Sequence, residues 1–119
     1  MAELALSSFE LQSHVRGYHV YSHLWTPVLE VLGLSRETNN EHDRYAVAIM
    51  KDDYVAGHVP LSLSKVFHYF LMKPGHSAVC KITGGHVNRG VQLGIEVPCV
   101  YIMYGQTPYI EKLKVLLKH

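Results

Sequence analysis

Several features that would place this chain in a specialised class are scarce or missing. It has two cysteines in 119 residues, too few for the disulfide framework on which small secreted domains depend. Both lie in apolar stretches, so we expect Cys80 and Cys99 to be free thiols in the core. The chain has no run of roughly 18 apolar residues and no secretory leader pattern at its start. We therefore expect a soluble, intracellular protein without a membrane partner.

Charge of either sign is also sparse. Charged residues make up 18% of the chain, and the formal net charge is +1 with the histidines neutral. No overall basic field therefore exists that would hold a long stretch of nucleic acid, and any anion binding has to be local. Hydrophobic residues, by contrast, make up 48%, enough to bury the core of one domain. We expect a single domain over residues 1–119.

The apolar pattern predicts mostly β structure. Apolar and polar residues alternate around 9–13 and 30–37, as in half-buried strands. YAVAIMK and YVAGHV, separated by Asp52 and Asp53, predict a hairpin with a tight acidic turn. SAVCKITG and GIEVPCVYIMYG predict two further strands, and Pro98 suggests that the second has a bulge or lies at an edge. The tyrosines near the end of this last strand, Tyr101 and Tyr104, are expected in the core.

Two segments have helical spacing. In LSKVFHYFLM, apolar residues recur at i, i+3, i+4 and i+7, with Ser62 as the expected N-cap and Pro74-Gly75 as the stop. TPYIEKLKVLLKH predicts a closing helix with Thr107 as its cap and proline at the first helical position. The whole pattern predicts a mainly β fold, specifically a compact OB-like β-barrel with two short α-helices.

Nine histidines raise the question of a metal site or a catalytic site. Three of them lie close together in the sequence: His14, His19 and His23. Their spacing matches no zinc framework, so we predict no metal and no other cofactor. The sequence also has no nucleophile elbow and no glycine-rich phosphate loop. We expect a protein that is not an enzyme; a small hydrolase or nuclease built on His42, Asp43 and His58 is the alternative.

The densest polar run is RETNNEHDRYAVAI, which passes directly into a predicted strand. We expect structural roles for Arg36 and Glu37, such as an ion pair or a cap on loop carbonyls. Asn40 is expected to satisfy backbone groups of the turn.

An aromatic run lies upstream, in a segment too irregular for a plain strand. It contains Tyr18, Tyr21 and Trp25. Proteins that bind single-stranded nucleic acids stack bases on such rings. Packing at the rim of the barrel is the alternative role, above all for Trp25.

Three blocks of the sequence, taken in order, carry a resemblance to a known family. They are HVRGYHVY, LSRETNNEHDRYAVAIM, and VAGHVP followed by a helix. The residues that match the family pattern are Val15, Gly17, Tyr18, Tyr21, Arg36, Glu37, Asn40, Asp43, Ala46, Val47, Gly57, His58 and Val59. The chain resembles the HIRAN domain, a module of certain SWI/SNF-type DNA translocases and repair proteins, over nearly its whole length.

The resemblance implies a nuclear module that binds the 3′ end of single-stranded DNA in DNA repair or replication-fork processing. In the family, an aspartate at the place of Asp43 receives the terminal 3′-hydroxyl, and a histidine matching His58 lines the same pocket. The other partner implied is a translocase, or further protein domains in the same chain or complex. The candidate nucleic-acid-binding residues are Tyr18, His19, Tyr21, Asn40, His42, Asp43, Arg44, His58 and Ile95.

The chain departs from the DNA-binding members at several positions. Val20 stands where they have a tyrosine, His42 where an aromatic residue precedes the key aspartate, Leu61 where they have a lysine, and Ile95 where they have an aromatic residue. These departures leave a second hypothesis open, in which a protein-interaction module keeps the HIRAN scaffold and has lost DNA-end binding. For Asp43 in particular, capping of its own loop is the alternative to contact with a ligand.

Overall fold

The computed structural model describes residues 5–16, 29–41, 43–83, 87–88 and 95–117, and at 87–88 and 95–96 it describes the backbone alone. The strands are β1 Leu6–Val15, β2 Val31–Arg36, β3 Val47–Lys51, β4 Tyr54–His58, β5 Ser77–Ile82, β6 Val87–Asn88 and β7 Ile95–Gln106. The helices are α1 Leu61–Leu71 and α2 Thr107–Leu116. The fold is therefore mainly β with two short helices, which confirms the predicted class.

The sheet bends until its two outer strands meet. Its hydrogen-bonded order is β1-β7-β5-β2-β3-β4, with β6 beside β7. Just beyond β1, the Arg16 backbone N–H donates to the His58 carbonyl over 2.7 Å, and the His58 N–H donates to the Arg16 carbonyl over 2.8 Å. This isolated bridge joins the ends of β1 and β4. The arrangement is OB-like, and the bridge brings two distant parts of the sequence to one place.

Alternation along β1, β2, β5 and β7 places one face of each in a common core, whereas three consecutive residues of β3, 47–49, are all buried. Tyr101 and Phe67 are both fully buried, and their rings meet edge to face at 5.3 Å. Cys80 and Cys99 are buried free thiols, as predicted. The β3–β4 hairpin turns at Asp52, whose φ of 55° lies in the left-handed region that aspartate tolerates.

Two details of β7 differ from the sequence-based expectation. Tyr104 is 42% exposed, because the buried Tyr101 and Met103 set the alternation and turn Tyr104 to the other face. Pro98 lies inside β7, between β1 and β5, with no register shift in its pairing with β1. The Pro98 carbonyl accepts a bond from Thr83 N–H at 3.2 Å. An antiparallel pair would also have a bond from the N–H of residue 98 to the Thr83 carbonyl, which proline cannot donate. Thr83 lies just past the end of β5, so proline removes no hydrogen bond from within that strand.

Both helix caps also differ from the prediction. The N-cap of α1 is Pro60, and that of α2 is Gln106, neither with a side-chain cap hydrogen bond. Ser62 is therefore a helical residue rather than a cap. Thr107 begins α2, and its hydroxyl donates to the Ala5 carbonyl at 3.0 Å, which ties the helix to the start of β1. Over the described ranges, neither helix is long and apolar enough to cross a membrane.

Candidate nucleic-acid interface

Polar side chains form a closed series of contacts beside the bridge between β1 and β4. The series, which we call the polar ring, consists of Arg16, Glu37, Asn40, Asp43 and His58. Arg16 pairs with Asp43, the Asp43 backbone bonds Asn40, Asn40 bonds Glu37, and Glu37 contacts His58. The backbone bridge from His58 to Arg16 completes the series. The polar ring thus links the loop after β2 to both outer strands of the sheet.

The loop that carries the ring is shaped by its own side chains. Asn40 Oδ1 accepts a hydrogen bond from the Asp43 backbone N–H at 3.0 Å, and Asp43 Oδ1 accepts one from Tyr45 N–H at 2.9 Å. Asparagine and aspartate favour such turns because their short side chains reach nearby backbone donors. The predicted role of Asn40 in satisfying the turn is therefore confirmed.

Asp43 uses its two carboxylate oxygens differently. Oδ1 caps the turn, whereas Oδ2 lies 3.6 Å from Arg16 Nη2, too far for a hydrogen bond. Both Oδ2 and Nη2 are buried, and neither has a hydrogen-bond partner among the described residues. Arg16 Nε donates to the Val59 carbonyl at 3.0 Å, which holds the guanidinium in place. The result is a fixed pair of opposite charges with an unused donor beside an unused acceptor.

Glu37 and His58 form the other side of the ring. Glu37 Oε1 lies 2.5 Å from His58 Nε2 and accepts a hydrogen bond from Asn40 Nδ2 at 3.2 Å. His58 is only 8% exposed, so its imidazole is held between the sheet and this carboxylate. These contacts agree with the structural role expected for Glu37.

Gly57 allows the two outer strands to approach closely enough for the ring to form. A Cβ atom at this position would lie 2.3 Å from Val15 Cγ1 and 3.0 Å from the Arg16 carbonyl oxygen. Contacts this short require the buried Val15 side chain or the adjoining backbone to shift. The glycine of the VAGHVP block is therefore needed for the bridge.

An exposed cluster of aromatic and cationic side chains adjoins the ring. Arg44 Cζ lies 5.0 Å and Lys65 Nζ 5.4 Å from the centre of the Tyr45 ring, and the Tyr69 ring lies at 5.6 Å. A hydrogen bond with Tyr69 lowers the pKa of Tyr45, and the charges of Arg44 and Lys65 add to this. Sequence reasoning missed Tyr45 and Tyr69, because only the fold brings α1 beside the loop.

The structure brings together part of the predicted site. Asn40, Asp43 and His58 belong to the polar ring, and Arg44 is exposed next to it. The backbone of Ile95 begins β7 and pairs with Asn88; its side chain is not described. The predicted contacts that lie outside the described residues are Tyr18, His19, Tyr21 and His42, and Trp25 lies outside them as well.

Arg16 and Glu37 are the ring members absent from the candidate nucleic-acid-binding residues; the sequence suggested Arg16 only as one of a few cations near the site, with Arg36 and Arg44. Their other sequence signal is their position inside the blocks HVRGYHVY and LSRETNNEHDRYAVAIM. In the part of the chain that the structure describes, no three or more histidine, cysteine or carboxylate side chains are grouped so as to hold a metal ion.

Comparison with known proteins gives a consistent result. The family model described as the HIRAN domain matches residues 8–100. The crystal structure of the HIRAN domain of human HLTF is similar with a TM-score of 0.68 at 20% identity, covering 92% of this chain and 86% of that one. A crystal structure of a protein from Lactobacillus plantarum has a TM-score of 0.52 at 17% identity, covering 82% and 98%. At these identities the structural likeness shows the fold alone. A search of curated proteins found no match.

Proposed function

The chain belongs to the HIRAN domain family, and from this premise we propose that its polar ring binds the 3′-hydroxyl end of single-stranded DNA. HIRAN domains are DNA-binding modules. In this proposal the chain acts as one binding module and not as an enzyme. It would work in the nucleus, in DNA repair or replication-fork processing, with a translocase or other domains of the same chain or complex as its protein partner.

The observation that carries the proposal is that no described residue hydrogen-bonds Arg16 Nη2 or Asp43 Oδ2. Buried polar atoms without partners are rare in proteins and call for an explanation. A hydroxyl oxygen about 2.8 Å from both Asp43 Oδ2 and Arg16 Nη2 forms a triangle on the 3.6 Å base between them. It would donate its proton to the carboxylate and accept a bond from the guanidinium. A terminal hydroxyl is thus the kind of group that would satisfy both atoms at once.

Charge supports the choice of a hydroxyl over a phosphate. Arg16 is already opposed by Asp43 at 3.6 Å, so the pair offers a bound group no net positive charge. A terminal phosphate would also set a second negative charge against the Asp43 carboxylate in a partly desolvated pocket. The phosphates within the bound strand would have to pair with cations outside the Arg16–Asp43 pair. Arg44 is exposed beside the polar ring and is one such cation.

The candidate residues from the sequence that lie outside the polar ring are also part of this proposal. We expect Tyr18, His19, Tyr21 and His42 to contact the last nucleotides, with Ile95 beside them. The half-buried ring of Tyr45 and the exposed ring of Tyr69, flanked by cations, are a further surface on which a base can stack. The bound segment should be short because few cations adjoin the ring.

A titration with two oligonucleotides tests the proposal. A short dye-labelled single strand with a free 3′-hydroxyl is compared with the same strand carrying a 3′-phosphate, using fluorescence anisotropy. Loss of a hydrogen bond to a charged group, about 1.5–3 kcal/mol, together with repulsion, should weaken binding of the phosphorylated strand at least ~10-fold. Equal affinities would contradict end recognition and favour the hypothesis of a protein-interaction module.

A further inference from the structure

A second concave surface lies between α1 and α2, and it shares Lys65 and Tyr69 with the aromatic and cationic cluster beside the polar ring. This surface, which we call the helix groove, has a volume of about 700 Å³. Its floor includes Val66 and Phe70 from α1 and Leu113 from α2. Because Phe70 and Leu113 are anchored in the core, the floor is preformed.

The edges of the groove are apolar and open to solvent. Met72, just after α1, is 51% exposed, and Leu116, near the end of α2, is 55% exposed. Both line the groove, so their apolar atoms adjoin the buried floor rather than standing alone on the surface. A contiguous exposed apolar surface of this kind is typical of a site that another molecule covers.

The charge around the groove has one sign. Among the described residues, the charged ones that line it are Lys65, Lys73 and Lys112, and no aspartate or glutamate is among them. The acidic residue of α2, Glu111, does not line the groove and pairs with Lys114 at 3.1 Å. A ligand in the groove would therefore meet an apolar floor between ammonium groups.

We propose that the helix groove binds an acidic amphipathic segment of another protein. Its apolar side chains would lie on Val66, Phe70 and Leu113, and its carboxylates would face the three lysines. Recognition of one apolar face in a groove between helices is a recurrent mode of peptide binding. Complementary charges at the rim would select acidic over basic segments. This proposal does not depend on DNA binding at the polar ring.

The arrangement of the aromatic rings favours a peptide over a nucleic acid at this surface. Phe70 stacks on His76 with ring centres 4.2 Å apart. Tyr109 meets His76 edge to face at 5.0 Å, and Lys73 Nζ lies 5.2 Å from the centre of the Tyr109 ring. The Phe70 and Tyr109 rings therefore already have partners, whereas Tyr69, which also lines the groove, is 50% exposed and is a ring on which a base could stack. Aliphatic side chains supply much of the remaining lining.

The test uses a defined probe. A dye-labelled 15-residue synthetic peptide with leucine at helical i, i+3, i+4 and i+7 spacing and glutamate elsewhere is titrated with the protein. A second peptide has lysine in place of every glutamate. We expect the acidic peptide to bind with a Kd below about 100 µM and the basic peptide at least ~10-fold more weakly.

Two substitutions on the same helix locate the binding. Leu116→Asp puts a carboxylate at the groove edge, and we expect it to weaken binding of the acidic peptide at least ~10-fold. Val115→Asp is the matched control, because Val115 is 75% exposed and lies outside the groove lining; it should change affinity less than about 2-fold. Circular dichroism and urea unfolding check that both variants fold.

Several results would overturn the proposal. They are failure of the acidic peptide to bind, equal binding of the two peptides, and equal effects of the two substitutions. Binding of phosphatidylglycerol vesicles that Leu116→Asp abolishes would assign the groove to a lipid surface. Competition by a 3′-phosphorylated single-stranded oligonucleotide would assign it to nucleic acid. A dimer in sedimentation analysis that Leu116→Asp dissociates would show that a second copy of the chain occupies the groove.

Discussion

The polar ring and the helix groove are both partly open to solvent, but they are built on opposite principles. In the ring, each side chain is held by another polar group, as Asp43 is held by the backbone of Tyr45 and the charge of Arg16. In the groove, a mostly buried apolar floor is flanked by the exposed side chains of Met72 and Leu116 and by lysines. The ring is suited to recognise one small group at a defined position, and the groove is suited to cover an apolar face. Substitutions that change charge without changing shape should therefore affect the ring most.

The largest effect is expected from Gly57→Ala, which disrupts the bridge between β1 and β4 on which the polar ring depends. The new Cβ would lie 2.3 Å from Val15 Cγ1 and 3.0 Å from the Arg16 carbonyl oxygen, so the buried Val15 side chain or the outer strands have to shift. Overpacking of this kind should lower the free energy of unfolding by about 2–3 kcal/mol. Distortion of the bridge should also reduce DNA affinity, measured at a temperature at which circular dichroism shows the variant to be folded.

Gly33→Ala is the control for this substitution. It also lies in a strand, but a Cβ atom there would meet nothing within 4 Å. Its unfolding free energy and DNA affinity should stay close to those of the wild type. Equal destabilisation by the two alanines in urea unfolding would show that close approach at Gly57 is not what requires glycine.

A smaller effect on stability is expected from Arg16→Gln. The substitution removes the bond to the Val59 carbonyl and leaves the mostly buried Asp43 carboxylate without its counter-charge. We expect a loss of about 1–3 kcal/mol in urea unfolding. DNA affinity should fall, while binding of the acidic peptide at the groove should not change. A parallel loss at both surfaces would mean that the ring and the groove are not independent.

Salt dependence distinguishes the exposed cations of the two regions. Two or three phosphate contacts should give a log–log salt slope for DNA binding of about −1.5 to −2, at ~0.7 per contact. Arg44→Gln should make this slope less steep by about 0.7. Lys112→Gln, in the groove, should leave it unchanged. A wild-type slope much steeper than about −2 would reveal an extended basic surface.

The smallest effect concerns His68 on α1, near the loop of the ring. Burial lowers the pKa of His68, the charge of Arg36 lowers it further, and Asp43 partly opposes the shift. The unfolded chain therefore takes up this proton first as pH falls, so the stabilisation is complete above about pH 6.5 and declines below it. The imidazole of His68 is only half-buried and is screened by solvent, so the change in unfolding free energy should be about 0.5 kcal/mol or less.

His68→Gln isolates this contribution, because all other titrating groups are shared by the two proteins. Urea midpoints are compared at pH 7.5, 6.5 and 5.5. The stability of the variant should depend less on pH than that of the wild type. Identical pH dependence would exclude His68 as the titrating group.

Much of the fold could be predicted because it depends on local pattern. The alternation of apolar and polar residues predicted β1, and the acidic turn at Asp52 and Asp53 predicted the β3–β4 hairpin. The turn role of Asn40 followed from its chemistry. The pairing of Arg16 with Asp43 could not be predicted, because it depends on how far the sheet bends before its outer strands meet.

The errors have similar causes. Tyr104 was expected in the core because the strand is almost continuously apolar, and only the pairing of β7 decides which alternate residues face inward. Ser62 is a favourable cap residue, yet Pro60 already starts α1 with its fixed φ. The helix groove had no sequence signal, because it arises where two helices from distant segments are placed side by side.

The central claim is that Asp43 receives a terminal hydroxyl, and the ratio of two affinities tests it most directly. The ratio of Kd for a 3′-phosphorylated strand to Kd for a 3′-hydroxyl strand is measured for the wild type, Asp43→Asn and Asp52→Asn. The last variant loses the same charge at an exposed turn, where asparagine tolerates the positive φ. We expect a ratio of at least ~10 for the wild type and Asp52→Asn, and a ratio near 1–3, approximately, for Asp43→Asn. An unchanged ratio in Asp43→Asn, or a wild-type ratio near 1, would contradict recognition of the 3′ end by Asp43.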